Sequence, residues 1–171
     1  ILRFKDILRD RVRKLNSLFL NTIKEFDYRG QYRGVYPIKV NQMCEVVKGV
    51  VRAGESFGFG LEAGSKPEIL SILAYNQNPT SLNILNGYKD KEYMRLALLS
   101  KKLNPLTIIV IEQLSELDLL IDTIEEMNIK PIIGLRIKIT AQSAGRWKQS
   151  SGFRAKFGLT TTELLQAIEV L

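Results

Sequence analysis

The sequence predicts an α/β fold in which parallel strands alternate with helices. After Gly34, short β-branched runs follow one another, and each is succeeded by a stretch whose apolar residues have helical spacing. The predicted strands begin at residues 35, 57, 82, 107 and 132, a period of 22 to 25 residues. Alternation of this kind is typical of parallel strands joined by right-handed crossovers. Both an open doubly wound sheet and part of an eight-fold βα barrel satisfy it, with about five βα units.

An amphipathic helix with a basic outer face is predicted before the first strand, over residues 1–26, because its apolar residues recur at three-to-four spacing. The predicted strands cover residues 35–40, 57–61, 82–85, 107–111 and 132–139. The predicted helices that follow them cover residues 43–53, 66–75, 91–102, 116–127 and 163–171. Capping-box spacing indicates three helix starts, at Ser65 with Glu68, Ser115 with Asp118, and Thr160 with Glu163.

The length favours part of a barrel over a whole one. A complete eight-stranded barrel takes about 250 residues, whereas this chain has 171. It begins without Met and ends within the predicted helix 163–171, and no linker rich in Gly, Ser or Pro divides it. We therefore expect a single incomplete domain over residues 1–171 that belongs to a longer chain.

Composition excludes several classes of site and location. The chain has no His and one Cys, so it offers no His-dependent triad, no Cys–His pair and no zinc site of the usual kind. Cys44 cannot form a disulfide within the chain, which favours a reducing compartment, and we expect a cytoplasmic protein. No apolar run approaches the roughly 20 residues that a bilayer span needs, so no membrane partner is expected.

The net charge of +7 is concentrated in one segment. Seven basic residues and no acidic residue lie between Lys130 and Lys156, whereas the rest of the chain is balanced at 18 against 18. Residues 140–157 form a long basic stretch, and loops of that length are more often functional than idle. Binding of RNA or DNA would need aromatic platforms among the cations, and only Trp147, Phe153 and Phe157 are available. We expect no nucleic-acid partner.

The carboxyl ends of the predicted strands are where functional residues gather in both architectures. Lys39 lies at the end of the first predicted strand, on one face with Val35 and Pro37. Burial would lower the pKa of its amine and allow it to attack a carbonyl and form a Schiff base. The alternative is a lysine whose charged end extends to solvent from the strand end, and the local pattern alone leaves both open.

Two more strand ends carry polar groups. The stretch 58–68 ends a strand and opens a helix; Gly60 and Gly64 permit close backbone approach, although a structural turn is the simpler interpretation. Glu62 within it is more informative, because a carboxylate at a strand end can hold a cofactor or a neighbouring charge. Residues 86–90 are interpreted as a loop in which Asp90 caps the next helix.

Five segments of the chain form a recognisable series in their order and spacing. They are Gly34-Val-Tyr-Pro-Ile-Lys-Val-Asn-Gln42, Gly60-Leu-Glu-Ala-Gly-Ser-Lys-Pro-Glu68, Asn86-Gly-Tyr-Lys-Asp90, Leu114-Ser-Glu-Leu-Asp-Leu119 and the run from Ser143 to Leu159. Together they closely resemble the biosynthetic arginine decarboxylases, which are pyridoxal-phosphate enzymes with an alanine-racemase-like barrel. The resemblance extends over nearly the whole chain. It implies the fold class α/β, an incomplete TIM-type (β/α)8 barrel.

The resemblance also implies an activity and a set of site residues. The activity is decarboxylation of L-arginine to agmatine and carbon dioxide in polyamine synthesis, with pyridoxal 5'-phosphate as cofactor. Lys39 matches the lysine that carries the cofactor in a Schiff base. Glu62 matches an acidic position beside the cofactor in related ornithine decarboxylases, and Arg136 matches a strand-end arginine near the same site. Mg2+ dependence and a dimer-based homo-oligomer, with the active site completed across the interface, are further expectations.

The chain departs from the family pattern at Ala144, where Ser is usual, and at residues 153–155, which replace a more acidic and polar stretch. In the family, the ring-stacking His, the glycine-rich phosphate site, the carboxylate for the ring nitrogen and the catalytic Cys come later in the chain. We therefore expect the 171-residue piece alone to be inactive. Three alternatives stay open: an ornithine or diaminopimelate decarboxylase of the same fold, a non-catalytic homologue that binds the cofactor, and a basic nucleic-acid-binding module.

Overall fold

A computed structural model describes residues 4–138 and 156–171 of the chain. Its strands are β1 Val35–Pro37, β2 Gly60–Ala63, β3 Asn83–Leu85, β4 Thr107–Ile111 and β5 Ile132–Leu135. Its helices are α1 Lys5–Glu25, α2 Cys44–Gly54, α3 Lys66–Tyr75, α4 Lys91–Leu103, α5 Ser115–Met127 and α6 Thr161–Val170. Short 3-10 turns cover Ile38–Val40 and Glu55–Phe57. The alternation of strands and helices predicted from the sequence is confirmed.

The five strands form one parallel sheet in the order β1-β2-β3-β4-β5. Each strand therefore lies beside the next one along the chain, with no reversal of the order. A doubly wound sheet has such a reversal, whereas a βα barrel adds its strands in sequence. The topology thus distinguishes between the two architectures that the sequence left open, and it favours the barrel.

The parallel array continues beyond the fifth strand. Ile137 forms a parallel bridge with Leu159, in which the Leu159 amide donates to the Arg136 carbonyl at 2.7 Å and the Lys138 amide donates to the Leu159 carbonyl at 2.8 Å. Helix α6 begins two residues later. Leu159 thus occupies a sixth strand position beside β5, one more than the five units expected. Most of the predicted long basic stretch, residues 140–155, lies outside the described residues.

The core lies between the sheet and the helices that cover it. Residues of β4 alternate between buried and half-buried, and Ile109 and Ile111 are fully buried beside Leu61 and Leu85. The covering helices contribute Ile69, Ile72, Met94, Leu98, Leu117 and Leu120, which are all shielded from solvent. Burial of each such side chain stabilises the fold by about 1.5–3 kcal/mol, and the packing fixes each helix against its strands.

The N-terminal helix is less buried than its apolar pattern predicts. Of its apolar residues only Val12 is buried, packing with Val50, Ala53 and Phe59. Phe4 and Leu18 are exposed, because α1 contacts mainly α2 and a single helix–helix contact covers only a narrow stripe. In the part of the chain that the structure describes, no helix combines the length and apolar character that crossing a membrane requires.

Several strand boundaries differ from the prediction. Strand β5 ends at Leu135 rather than at residue 139, and beyond it only Ile137 pairs again, with Leu159, among the described residues. The first strand ends at Pro37 rather than at residue 40, since proline has no amide hydrogen to donate to a ladder and the chain turns into the 3-10 segment Ile38–Val40. The second strand begins at Gly60 rather than at residue 57. Its predicted start lies in another 3-10 turn that ends at Gly58, whose φ of 61° is left-handed.

The predicted helix caps have mixed outcomes. Thr160 and Glu163 form the reciprocal capping box, and Asp90 caps α4 by accepting from the Tyr93 amide at 2.8 Å. Ser65 is the N-cap residue of α3 but forms no side-chain hydrogen bond there, and the Glu68 carboxylate accepts from the Gly64 amide rather than from the Ser65 amide, so the predicted capping box does not form. The Ser115 prediction is wrong: backbone carbonyls of the preceding turn already satisfy the first amides of α5.

Asp90 provides a test of local stability. Replacing Asp90 with Ala removes the cap and should lower the free energy of unfolding by about 1 kcal/mol. Asp90→Asn keeps a capping oxygen but loses the ion pair with Lys66 at 2.6 Å, and should cost less.

The hydrogen bond from Lys66, followed by that from the Tyr93 amide, lowers the pKa of Asp90. The stabilisation is therefore complete above the ordinary aspartate pKa and is lost as pH falls through the lowered value. Urea unfolding between pH 7 and pH 3 should show wild type and Asp90→Asn converging; a constant difference would contradict this assignment.

Candidate functional site

The carboxyl ends of the parallel strands bring four charged residues to one edge of the sheet. Lys39 follows β1, Glu62 lies in β2, Glu112 follows β4 and Arg136 follows β5. We call this edge, defined by these four residues, the mouth. Because all strands run in the same direction, every strand delivers its last side chains here.

Lys39 and Glu62 form one pair at the mouth. The Lys39 Nζ lies 3.3 Å from Glu62 Oε1; the lysine side chain is 67% exposed and the glutamate 18% exposed. The prediction that Lys39 lies within a strand, on a buried face, is therefore wrong. Lys39 lies in the turn just past β1. Its amine is accessible, while the less exposed Glu62 on β2 provides a fixed partner for it.

Glu68 binds the loop after β2 through hydrogen bonds. This buried carboxylate accepts from the Gly64 amide at 2.7 Å and from the Gln42 side-chain amide at 3.2 Å. Gln42 lies three residues after Lys39. The same carboxylate thus connects the segment after Lys39 with the segment after Glu62.

A buried charge cluster, formed by Lys89, Glu112 and Glu116, extends inward from the mouth. The Lys89 side chain is 0% exposed; its Nζ lies 3.0 Å from Glu116 Oε2 and 3.6 Å from Glu112 Oε2. It also donates to the Gly87 carbonyl at 2.7 Å. The Glu112 amide donates to Glu116 Oε2 at 2.8 Å. Unpaired burial of any of these charges would cost several kcal/mol, so the members stabilise one another.

Both oxygens of the Glu112 carboxylate are in use. Oε2 accepts from the Gly87 amide at 2.6 Å, and Oε1 accepts from Arg136 Nη1 at 2.5 Å. The Glu112 carbonyl in turn accepts from the Gly158 amide at 2.9 Å. Glu112 therefore connects the loop after β3 with the end of β5 and with the segment that leads into α6.

Gly87 is required by the close approach of two loops. Its φ of 84° is left-handed, and a Cβ there would lie 2.3 Å from the Gly64 carbonyl oxygen. Only glycine fits such a position without displacing the neighbouring backbone. The loops after β2 and β3 are consequently packed against each other at the mouth.

Tyr93, in α4, also forms hydrogen bonds with the strand ends near the mouth. Its buried hydroxyl donates to the carbonyls of Asn86 at 2.7 Å and Ala63 at 3.3 Å. Burial raises the pKa of this hydroxyl far above its usual range, and the negative charge of Glu112 raises it further. Tyr93 is therefore a neutral donor that fixes the two strand ends.

Of the predicted site residues, the structure brings Lys39 and Glu62 together and places Arg136 apart from them. Lys39 contacts Glu62, whereas Arg136 contacts Glu112 at the other side of the sheet. Lys89 and Glu112 are not among the site residues predicted from the sequence. The available signal was an acidic residue directly after the apolar run 107–111, with a second acid four residues later.

No cluster of three metal-ligating side chains of Cys, Asp or Glu forms within residues 4–138 and 156–171. Mg2+ dependence therefore stays an expectation from the resemblance.

Comparison with known proteins decides the family. Residues 12–171 match the family described as pyridoxal-dependent decarboxylase, pyridoxal binding domain. The chain belongs to this family. It is 50% identical over its whole length to the biosynthetic arginine decarboxylase of Gloeobacter violaceus and 46% identical to that of Rhodopirellula baltica.

Solved structures agree with the fold. The biosynthetic arginine decarboxylase of Campylobacter jejuni superimposes with a TM-score of 0.85 at 36% identity, covering 99% of this chain and 27% of that one. A diaminopimelate decarboxylase from M. jannaschi, at TM-score 0.72 and 20% identity, covers 94% of this chain and 36% of that one and shows the shared fold alone. The chain spans 27% of the G. violaceus relative and 25% of the R. baltica relative.

Lys89→Met tests the buried charge cluster. The substitution leaves two buried carboxylates with Arg136 as their remaining cation, so the free energy of unfolding should fall by about 3–5 kcal/mol. Adding Glu116→Gln removes the excess negative charge and should restore at least about 1 kcal/mol. Urea unfolding of the chain measures both effects.

The matched control is Lys91→Met, which removes an exposed ion pair with Glu126 on the outer helical layer. It should change the stability by less than about 0.5 kcal/mol. A Lys89→Met effect as small as that of the control would show that Lys89 does not hold the two carboxylates.

Proposed function

We propose that the full-length protein converts L-arginine to agmatine and carbon dioxide for polyamine synthesis, with pyridoxal 5'-phosphate bound at Lys39. The supporting observation is the accessible Lys39 amine, paired with Glu62 at the mouth. It occurs in a chain of the pyridoxal-dependent decarboxylase family that is 43–50% identical to several biosynthetic arginine decarboxylases.

The residues at the mouth suit the cofactor chemically. An aldehyde reacts with a primary amine, and the exposed Lys39 amine can be reached from solvent. The Arg136 side chain is 52% exposed although it forms an ion pair, so its remaining N–H groups can donate hydrogen bonds to an anionic oxygen. A phosphorylated pyridine aldehyde offers both kinds of group.

Each of the proposed site residues has a defined task. When bound, the cofactor supplies the conjugated ring that accepts the electrons released as carbon dioxide leaves. Lys39 binds the cofactor, gives up its place to the amine of the substrate, and takes the cofactor back as the product leaves. Glu62 orients the Lys39 amine through their 3.3 Å contact.

Arginine is favoured as the substrate by the names of the relatives at 43–50% identity. Ornithine and diaminopimelate are the alternative substrates within the same fold, and a non-catalytic cofactor-binding role is the remaining one. The dimer-based homo-oligomer, the Mg2+ dependence and the inactivity of the isolated piece stay predictions from the resemblance. The cytoplasmic location stays a prediction from the single Cys.

Lys39→Ala in the full-length protein tests the proposal. The variant should lose carbon dioxide release from arginine by at least about a thousandfold, and the visible absorption band of the attached cofactor should disappear, because no other group replaces the amine. Lys102→Ala is the matched control, since this exposed lysine lies near the end of α4, away from the mouth.

Three outcomes separate the alternatives. Release from ornithine or diaminopimelate but not arginine would change the substrate, and a Lys39-dependent band without release from any of them would indicate a non-catalytic cofactor-binding protein. Persistence of the band in Lys39→Ala would contradict the assignment of Lys39. Wild-type behaviour of Lys102→Ala is expected in every case.

A further inference from the structure

The buried charge cluster has a net negative charge unless Arg136 is counted with it. The buried charge cluster contains one cation, Lys89, and two carboxylates, Glu112 and Glu116, whose side chains are at most 4% exposed. It therefore carries one excess negative charge in a medium where isolated charges are strongly disfavoured. The Arg136 guanidinium, bound to Glu112 Oε1, supplies the missing positive charge.

Arg136 is held from two sides. Its Nη1 donates to the buried Glu112 carboxylate, and its Cζ lies 5.8 Å from the ring centroid of Phe157, where the aromatic face attracts the cation. The side chain nevertheless remains 52% exposed. The guanidinium is thus fixed in direction while part of it stays open to a ligand at the mouth.

We propose that Glu112 is a positioning residue that holds the Arg136 guanidinium at the mouth so that Arg136 can bind an anionic oxygen of the cofactor. The inference rests on the proposed function and adds to it a role for a buried residue. Glu112 itself does not reach the ligand, because both of its carboxylate oxygens are occupied by Gly87 and Arg136. Its effect on binding passes through Arg136.

The shape of the cluster provides a selective variant. Glu112→Gln keeps the size of the side chain and one carbonyl oxygen that can accept from the Gly87 amide. Its amide nitrogen then faces Arg136 and cannot accept, so the guanidinium is released. The remaining buried pair, Lys89 with Glu116, is balanced in charge, and the fold should therefore persist.

The experiment measures the dissociation constant of pyridoxal 5'-phosphate in the full-length protein by titration, with no substrate present. Glu112→Gln and Arg136→Gln should each weaken binding by at least about tenfold, the effect of losing one charge-assisted hydrogen bond. The double variant should bind no more weakly than Arg136→Gln alone, because the two changes remove the same interaction. Circular dichroism and thermal unfolding verify that each variant is folded.

Glu126→Gln is the matched control. Glu126 also accepts from an arginine, Arg95, at 2.6 Å, but on the outer helical layer. It should bind the cofactor as wild type does. If Glu112→Gln fails to fold, Glu112→Asp replaces it: the charge is kept, the shorter side chain withdraws from Arg136, and the affinity should again fall.

The outcomes separate this inference from the proposed function. If the wild-type protein binds the cofactor at Lys39 but Glu112→Gln binds it equally well and has an unchanged KM for arginine, the positioning role is wrong and the function stands. Both single variants could instead keep the wild-type affinity for the cofactor and show a raised KM for arginine. That result would contradict the cofactor as the ligand of Arg136 and would indicate the substrate carboxylate. Multiplicative losses in the double variant would contradict a shared interaction. Absence of any Lys39-dependent cofactor binding in the wild type would overturn the proposed function itself.

Discussion

The buried carboxylate of Glu112 is the interaction on which the carboxyl edge of the sheet depends. It contacts the Gly87 amide on one side and the Arg136 guanidinium on the other, and Lys89 lies 3.6 Å away. A charge in such a place is tolerated only with its partners present. The ends of β3, β4 and β5 therefore have to be formed together, and folding of the sheet also sets the geometry of the mouth.

The two sides of the mouth differ in solvation. Lys39 and Glu62 form an accessible pair that a ligand can separate, since an exposed ion pair contributes little to stability. Lys89 and its carboxylates are shielded and fixed. An accessible amine on one side and a fixed group of charges on the other would suit the cofactor attachment that we propose. The family to which the chain belongs is consistent with this division.

Local patterns predicted the elements better than the contacts between them. Helix α3 was predicted at residues 66–75 and is found there, because its boundaries are set by nearby residues. The end of β1 was misplaced because Pro37 stops the ladder. The exposed face of α1 was misjudged because apolar periodicity does not tell how wide a stripe its neighbour covers. Lys39 and Glu62 could be placed at strand ends, but the pairing of Lys89 with Glu116 depends on the packing of segments 27 residues apart, which a single sequence does not encode visibly.

The proposed role of Lys39 as the attachment point of the cofactor is tested most directly by chemical trapping. The full-length protein is incubated with pyridoxal 5'-phosphate, reduced with borohydride, digested and analysed by peptide mass spectrometry. The added mass of the reduced pyridoxyl group is expected on Lys39, in the peptide that follows β1. Its presence on Lys66, Lys89 or another lysine, with Lys39 unmodified, would contradict the assignment.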